Sequence, residues 1–125
     1  MRKLLFFAAI VEIATGLALL IDPRIVIALL VGGNEPPQAM PLGRVAGILM
    51  VALGVACWPR QSVGTQHSPA FQAMLIYNAL IALYLAYLFT VGHLGGVLLW
   101  PAVALHGAVA LLLIWTWRTE RRAIA

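Results

Sequence analysis

The chain alternates between long apolar runs and short polar segments. Four runs are apolar over nearly their whole length and cover residues 4–21, 42–58, 70–91 and 97–117. Each has about the 20 residues that an α-helix needs to cross ~30 Å of hydrocarbon. The runs are apolar on nearly every face, unlike the alternating strands of a membrane barrel. The pattern predicts an all-α four-transmembrane-helix bundle that forms a single integral membrane domain over residues 1–125.

A shorter helix is predicted between the first two spans. Asp22 and Pro23 form a helix-start signature, with Asp as the N-cap and Pro at the first helical position. The helix should cover 23–31, and nine residues cannot cross a bilayer. We therefore expect it to lie in the outer membrane interface or to dip back into it. Segment 32–34 should end it, and the proline-rich segment 35–41 predicts an extended loop.

The composition excludes a soluble domain. Hydrophobic residues make up 63% of the chain and charged residues 10%, with a mean hydropathy of +0.99, whereas soluble domains are about a quarter charged. The net charge of +4 comes from helix ends and short loops, so we expect membrane lipids and not nucleic acid as partners. Cys57 is the single cysteine, and we expect no metal site.

The distribution of basic residues predicts the orientation. Four crossings place both termini on one side of the membrane. Six of the eight basic residues fall on that side, namely Arg2, Lys3, Arg60, Arg118, Arg121 and Arg122, against Arg24 and Arg44 on the other. By the positive-inside rule both termini are cytoplasmic, and we expect a multi-pass protein of the plasma (inner) membrane.

Polar side chains occur inside the predicted spans at similar depths. By the helical rise, Glu12 and Asn78 lie about 12 Å and His106 about 16 Å from the cytoplasmic ends of their helices. Arg44 lies about 21 Å along the second span, nearer the outer surface. An ionisable group in hydrocarbon costs ~2.5–3.5 kcal/mol and indicates a functional site by default.

These residues predict a polar, ligand-binding or proton-carrying pocket. Glu12 and His106 would accept and donate protons, Arg44 would bind an anion or pair with Glu12, and Asn78 would form hydrogen bonds. A quinone, a lipid-like molecule or a proton-coupled solute would suit such a pocket. The alternative is that the polar groups bond one another and only hold the helices in register.

Further residues are assigned smaller roles. The predicted third span adds the phenolic hydroxyls of Tyr77 and Tyr84 to the candidate pocket. Gly16, one helical turn after Glu12, and the Gly43-x-x-x-Gly47 pattern predict close helix packing. No serine lies inside a span, so an enzyme would have to work with Glu12 and His106 alone, and the sequence does not favour an enzyme.

The order of these motifs resembles a known family. A glutamate-bearing first helix is followed by a long outer connection, Leu42-Gly43-Arg44-Val45-Ala46-Gly47, then Tyr77-Asn78-Ala79-Leu80 and His106-Gly107. This order resembles the small four-helix DoxX-like bacterial membrane proteins. The resemblance implies a membrane subunit, in some members one of quinone-linked sulfur oxidation or thiol-stress systems. The segment Val11-Glu12-Ile13-Ala14-Thr15-Gly16 is also similar to the glutamate-bearing helix of small multidrug transporters.

Three functions are consistent with these features. The first is binding of a lipophilic or quinone-like small molecule in the polar pocket, as an accessory subunit. The second is a proton-coupled small-solute transporter in which Glu12 exchanges a proton for substrate. The third is a purely structural or assembly subunit whose Gly43-x-x-x-Gly47 face and exposed tryptophans dock a copy of itself or a larger membrane complex.

Overall fold

The computed structural model describes residues 2–33, 36–59 and 68–124, with side chains to residue 119 in the last range. These ranges contain helices and no strand. The helices are α1 (Arg2–Ile21), α2 (Pro23–Val31), α3 (Ala39–Ala56), α4 (Pro69–Thr90) and α5 (Leu99–Ile124). By length and composition, α1, α3, α4 and α5 can each cross a membrane. The all-α fold with four spanning helices and one short helix is confirmed, and the protein is a small membrane protein.

Side-chain caps define where two helices begin. Asp22 Oδ1 accepts a hydrogen bond from the backbone N–H of Arg24 at 3.0 Å, and Pro23 is the first residue of α2. Ser68 Oγ accepts from the N–H of Phe71 at 3.2 Å, next to Pro69 at the start of α4. Each cap gives a partner to an N–H that the helix itself leaves unbonded.

The connection before α3 is shorter than the sequence predicts. The N–H of Ala39 donates to the Pro36 carbonyl at 2.9 Å, which closes a turn, and α3 begins at Ala39. Pro41 fits in the first helical turn because N–H groups there have no helical partner to lose. The prediction of an extended loop is therefore wrong for residues 36–41.

Several predictions fall outside the described residues. Asn34 and Glu35, at the predicted end of α2 and the start of the outer loop, are among them, as is Arg60 in the connection before α4. The side chains of Arg121 and Arg122 are also outside the description. The last helix extends beyond its predicted end at residue 117, to Ile124.

The spanning helices pack mainly as two pairs. α1 lies along α3, and α4 lies along α5. The first pair is close because it meets at glycines: a Cβ atom on Gly47 would lie 2.7 Å from the carbonyl oxygen of Gly16. One on Gly54 would lie 2.8 Å from the carbonyl oxygen of Ala9. Contacts this short leave no room for a side chain, so the α1–α3 backbones touch directly.

The two pairs meet in a packed core at one end of the bundle. We call it the terminal end, since α1 begins and α5 finishes there, and call the opposite end the α2 end. The core comes from the first halves of α1 and α4, the residue that follows α3 and the middle of α5. It contains Leu5, Ala8, Ala9, Cys57, Phe71, Met74, Val109 and Leu113.

At the α2 end the two pairs are joined through α2. Two carbonyls in its last turn, those of Leu29 and Leu30, accept hydrogen bonds from the N–H groups of Leu98 and Gly96 at 2.9 and 3.0 Å. Gly32 follows with φ of +70°, where a Cβ atom would lie 2.7 Å from the Gly95 carbonyl oxygen. The connection between α4 and α5 thus completes the C-terminus of α2 and holds the short helix across this end.

Candidate functional site

A buried polar cluster lies between the packed core and the α2 end. His106 Nδ1 is 2.9 Å from Asn78 Oδ1. The Asn78 amide nitrogen donates to the Met74 carbonyl at 2.8 Å, which fixes its orientation and turns its oxygen toward the histidine. An amide oxygen only accepts, so the proton in this bond belongs to His106 Nδ1. The sequence assigns Asn78 and His106 to similar depths, and in the structure the two side chains form a direct hydrogen bond.

Glu12 is buried beside this pair. Its side chain is on α1, and the residue is 1% exposed. Ala8, Ala9 and Gly16 on the same helix face are also buried, so α1 presents a small-residue surface that lets the carboxyl group into the bundle. Glu12 Oε1 lies 4.0 Å from His106 Nδ1, which is too long for a hydrogen bond.

The Glu12 carboxyl group is incompletely satisfied. The Tyr77 phenol on α4 is near enough to interact with it as a side-chain hydrogen-bond partner. Oε2, however, is buried with no hydrogen-bond partner in the described part of the chain. Buried polar atoms normally have partners, and an exception requires an explanation.

Tyr77 connects Glu12 to His106. Its ring meets the imidazole edge-on, with 5.8 Å between the ring centroids and an interplanar angle of 79°. The three helices α1, α4 and α5 therefore each supply part of one cluster: Glu12, then Tyr77 with Asn78, then His106. Such an arrangement can hold a proton among several groups and can hydrogen-bond the polar part of a ligand.

A cavity of about 330 Å³ adjoins the cluster on the side of the α2 end. All five helices contribute to its wall, which is largely apolar and includes Val11, Thr15, Val26, Leu30, Met50 and Ala102. Among the residues of α4 that line the cavity, Tyr77 is nearest the terminal end. Among those of α5, His106 is nearest the terminal end. The cavity is therefore a largely apolar space that is polar toward the terminal end and is lined by α2 toward the opposite end.

Two of the candidate site residues lie elsewhere. Arg44 is exposed on α3 and lines a separate surface pocket with Asp22 and Arg24. Asp22 is ten residues beyond Glu12 on the same helical path, about 15 Å by the helical rise. Tyr84 is 58% exposed and stacks against Tyr87. The structure brings neither Arg44 nor Tyr84 into the cluster.

The predicted packing glycines have two kinds of neighbour. Gly16 and Gly47 meet at the α1–α3 contact. Gly43 lies against α2, where a Cβ atom would be 2.9 Å from Pro23 Cβ.

Among the described residues, no group of three or more His, Cys, Asp or Glu side chains is placed to hold a metal ion.

The sequence did not indicate the apolar lining of the cavity. Residues such as Val26, Leu30 and Met50 are indistinguishable by type from those that face lipid. One signal was available: Val26 and Leu30 are four residues apart and share one face of α2. In the structure this face of α2 lines the cavity.

Comparison of the chain with known protein families, with curated proteins and with solved structures finds no match. The cluster and the cavity are therefore the features of the molecule that indicate its function.

Proposed function

We propose that the protein binds a lipophilic small molecule, such as a quinone, in the cavity between its spanning helices. The observation that carries this proposal is the continuity of an apolar cavity of about 330 Å³ with the polar pair Tyr77 and His106 at its inner end. Ligand sites are typically concave and mostly apolar, with a few polar groups that fix orientation, and have volumes of ~300–1,000 Å³.

The chemistry of the site favours a molecule with one polar end. The apolar part of a ligand would gain dispersion contacts with lining residues such as Val11, Leu30 and Ala102. The polar end then lies beside Tyr77 and His106. A ring with oxygen substituents and a short apolar tail meets both requirements, and a volume near the lower end of the range favours one ring over a fused ring system.

Filling the cavity tests this proposal without altering the polar cluster. Ala102 lines the cavity, whereas Ala104, two residues later on α5, is exposed. We expect Ala102→Leu to weaken binding of a decyl-tailed quinone by tenfold or more, because the added carbons occupy its space. Ala104→Leu, the same change on the outer face, should bind as the unchanged protein does.

The measurement is quinone binding to the purified protein in lipid nanodiscs. Equal affinity of the two leucine variants and the unchanged protein would show that the cavity is not the site. His106→Ala extends the test to the polar end. It should remain folded and lose binding, because His106 lines the cavity, and unfolding instead would support a role in holding the helices together.

A second function is favoured by one specific observation. Glu12 is buried in a spanning helix with an unpartnered oxygen, as expected for a group that takes up and releases a proton. It is not paired with Arg44, which is exposed. The alternative proposal is a proton-coupled transporter, and it predicts substrate-driven proton movement in proteoliposomes that Glu12→Gln abolishes.

The remaining proposals concern context. The resemblance to DoxX-like proteins supports a role as an accessory subunit of a larger membrane complex. The distribution of basic residues supports a plasma-membrane location with cytoplasmic termini. A structural or assembly role is supported by Trp58, Trp100 and Trp115, which are 40–61% exposed. Copurification from mild detergent distinguishes a subunit, which brings partners, from a protein that acts alone.

A further inference from the structure

The hydrogen bonds around His106 determine which of its nitrogen atoms is free. Asn78 directs its amide N–H toward the Met74 carbonyl and its oxygen toward His106 Nδ1. The opposite orientation would place two oxygens together at 2.8 Å. The Nδ1 atom therefore carries a proton. A second proton would create a charged imidazolium in a bilayer, where a charge is costly, so Nε2 of the neutral ring keeps its lone pair.

His106 lines the cavity, and no hydrogen bond within the described residues involves its second ring nitrogen. In the described part of the chain, Glu12 Oε2 is the only fully buried side-chain nitrogen or oxygen without a hydrogen-bond partner. The His106 side chain keeps a small exposed fraction of 11%. His106 is 9% exposed and lines the cavity. The cavity is thus the space into which Nε2 can accept a hydrogen bond.

The other polar groups at the cavity do not distinguish hydrogen-bond donors from acceptors. Tyr77 from α4 and Thr15 from α1 line it with hydroxyl groups, which can both donate and accept. Glu12 is not part of the lining. The lining residues of α2 and α3, Val26, Leu30 and Met50, bring no nitrogen or oxygen in their side chains. His106 is therefore the group that discriminates between donors and acceptors.

We infer that the cavity selects lipophilic molecules whose polar end donates a hydrogen bond, such as alcohols, phenols and quinols, over molecules of the same shape whose polar end only accepts one. In this assignment His106 is the specificity-determining residue, and Asn78 is a positioning residue that holds its tautomer. The inference rests on the proposed function, since it concerns the ligand of the same cavity.

The reduced and oxidised forms of one decyl quinone provide the sharpest probes. They have the same heavy atoms, but the quinol has two hydroxyl donors and the quinone has none. An acceptor-only head leaves the Nε2 lone pair without a partner and brings two acceptors together. We expect the quinol to bind on the order of tenfold more tightly than the quinone, as loss of one buried hydrogen bond implies. Binding is measured anaerobically in lipid nanodiscs, so that neither form converts.

Two variants connect this selectivity to the tautomer. Asn78→Leu removes the acceptor from Nδ1, so the ring can carry its proton on either nitrogen. We expect the preference for quinol to fall toward equality, and the ¹⁵N spectrum of His106 to change from one tautomer to a mixture. His93→Gln is the control, because His93 is exposed in the α4–α5 connection and should leave the preference unchanged.

The outcomes separate this inference from the proposed function. If neither form binds the unchanged protein, the proposed function fails. If both forms bind equally well, the cavity is a ligand site but the donor preference is overturned. A ¹⁵N spectrum of the unchanged protein with the proton on Nε2 also overturns it. Tighter quinol binding that Asn78→Leu reduces and His93→Gln does not supports the inference.

Discussion

Glu12 occupies a position that opposes stability. Its carboxyl group is buried in a spanning helix, Oε2 has no partner in the described part of the chain, and the nearest His106 nitrogen is 4.0 Å from Oε1. No close ion pair offsets the free-energy cost of removing this group from water. Residues that reduce stability in this way are commonly kept for function, because activity requires groups that a stable core excludes.

Glu12→Gln tests whether this residue stabilises the bundle. Glutamine has the same shape and no charge, so we expect the free energy of unfolding to stay the same or to rise by about 1 kcal/mol. The matched comparison is Asn78→Leu, which removes the bond to His106 and should lower the free energy by about 0.6–1.7 kcal/mol.

Reversible unfolding of both variants in bicelles gives the two values. A loss of several kcal/mol in Glu12→Gln would mean that the carboxyl group holds the helices together, and function would have to be sought on the outer surface of the bundle.

The sequence predicted the depth of each polar residue better than its direction. Helical rise sets depth, so Glu12, Asn78 and His106 could be assigned to one level from residue counts alone. Direction depends on how each helix is rotated about its axis. In a soluble helix the apolar stripe reveals this rotation, but a spanning helix is apolar on its lipid face too. Arg44 and Tyr84 were for this reason predicted in the site, and the structure places both on exposed faces.

The short helix α2 forms part of the cavity wall at the α2 end of the bundle. Val26 and Leu30 line the cavity from the α2 end, and hydrogen bonds hold both ends of the helix. At its start, the Asp22 carboxylate bonds the N–H of Arg24, an interaction worth ~1 kcal/mol in typical helices. Loss of this cap should open α2 locally while the spanning helices remain intact.

Asp22→Ala should therefore expose the cavity face of α2. With a cysteine introduced at Val26, a loss of ~1 kcal/mol implies an open form about fivefold more populated. We expect thiol labelling of Val26→Cys to accelerate by this factor in the Asp22→Ala background. Ile25→Cys is the control, because Ile25 is 57% exposed and should label at one rate in both backgrounds. Equal acceleration at both positions would indicate general unfolding, and no acceleration would show that the cap does not hold α2 closed.

Helix starts were predictable where a side chain marks them. The pair Asp22-Pro23 indicated α2 at residues 23–31, and the structure has Pro23–Val31. The start of α3 has no such marker: Gln38 makes no side-chain cap, and Pro41 was interpreted as part of a loop. Proline is compatible with the first helical turn as well as with an extended segment, so its presence alone could not distinguish the two.

Across the whole molecule, packing differs between the two ends of the bundle. At the terminal end, side chains from four chain segments form a closed core in which Leu5, Ala9 and Met74 are 0% exposed. Toward the α2 end, the helices line the cavity instead. Four spans of suitable length could be predicted from hydropathy, but this asymmetry could not, because it depends on which apolar residues meet across the pairs.

The asymmetry predicts opposite effects of one substitution at the two ends. Ala102 borders the cavity and Ala9 lies in the closed core. Ala102→Leu adds apolar contacts in empty space and should raise the free energy of unfolding, whereas Ala9→Leu must displace its neighbours and should lower it by about 1–3 kcal/mol. Unfolding of both variants in bicelles measures the two changes.

If Ala102→Leu also abolishes ligand binding, the cavity is a feature that reduces stability and is required for function. A decrease in stability for Ala102→Leu as large as that for Ala9→Leu would mean that the space closes in the bilayer, and both the binding proposal and the donor preference would lose their physical basis.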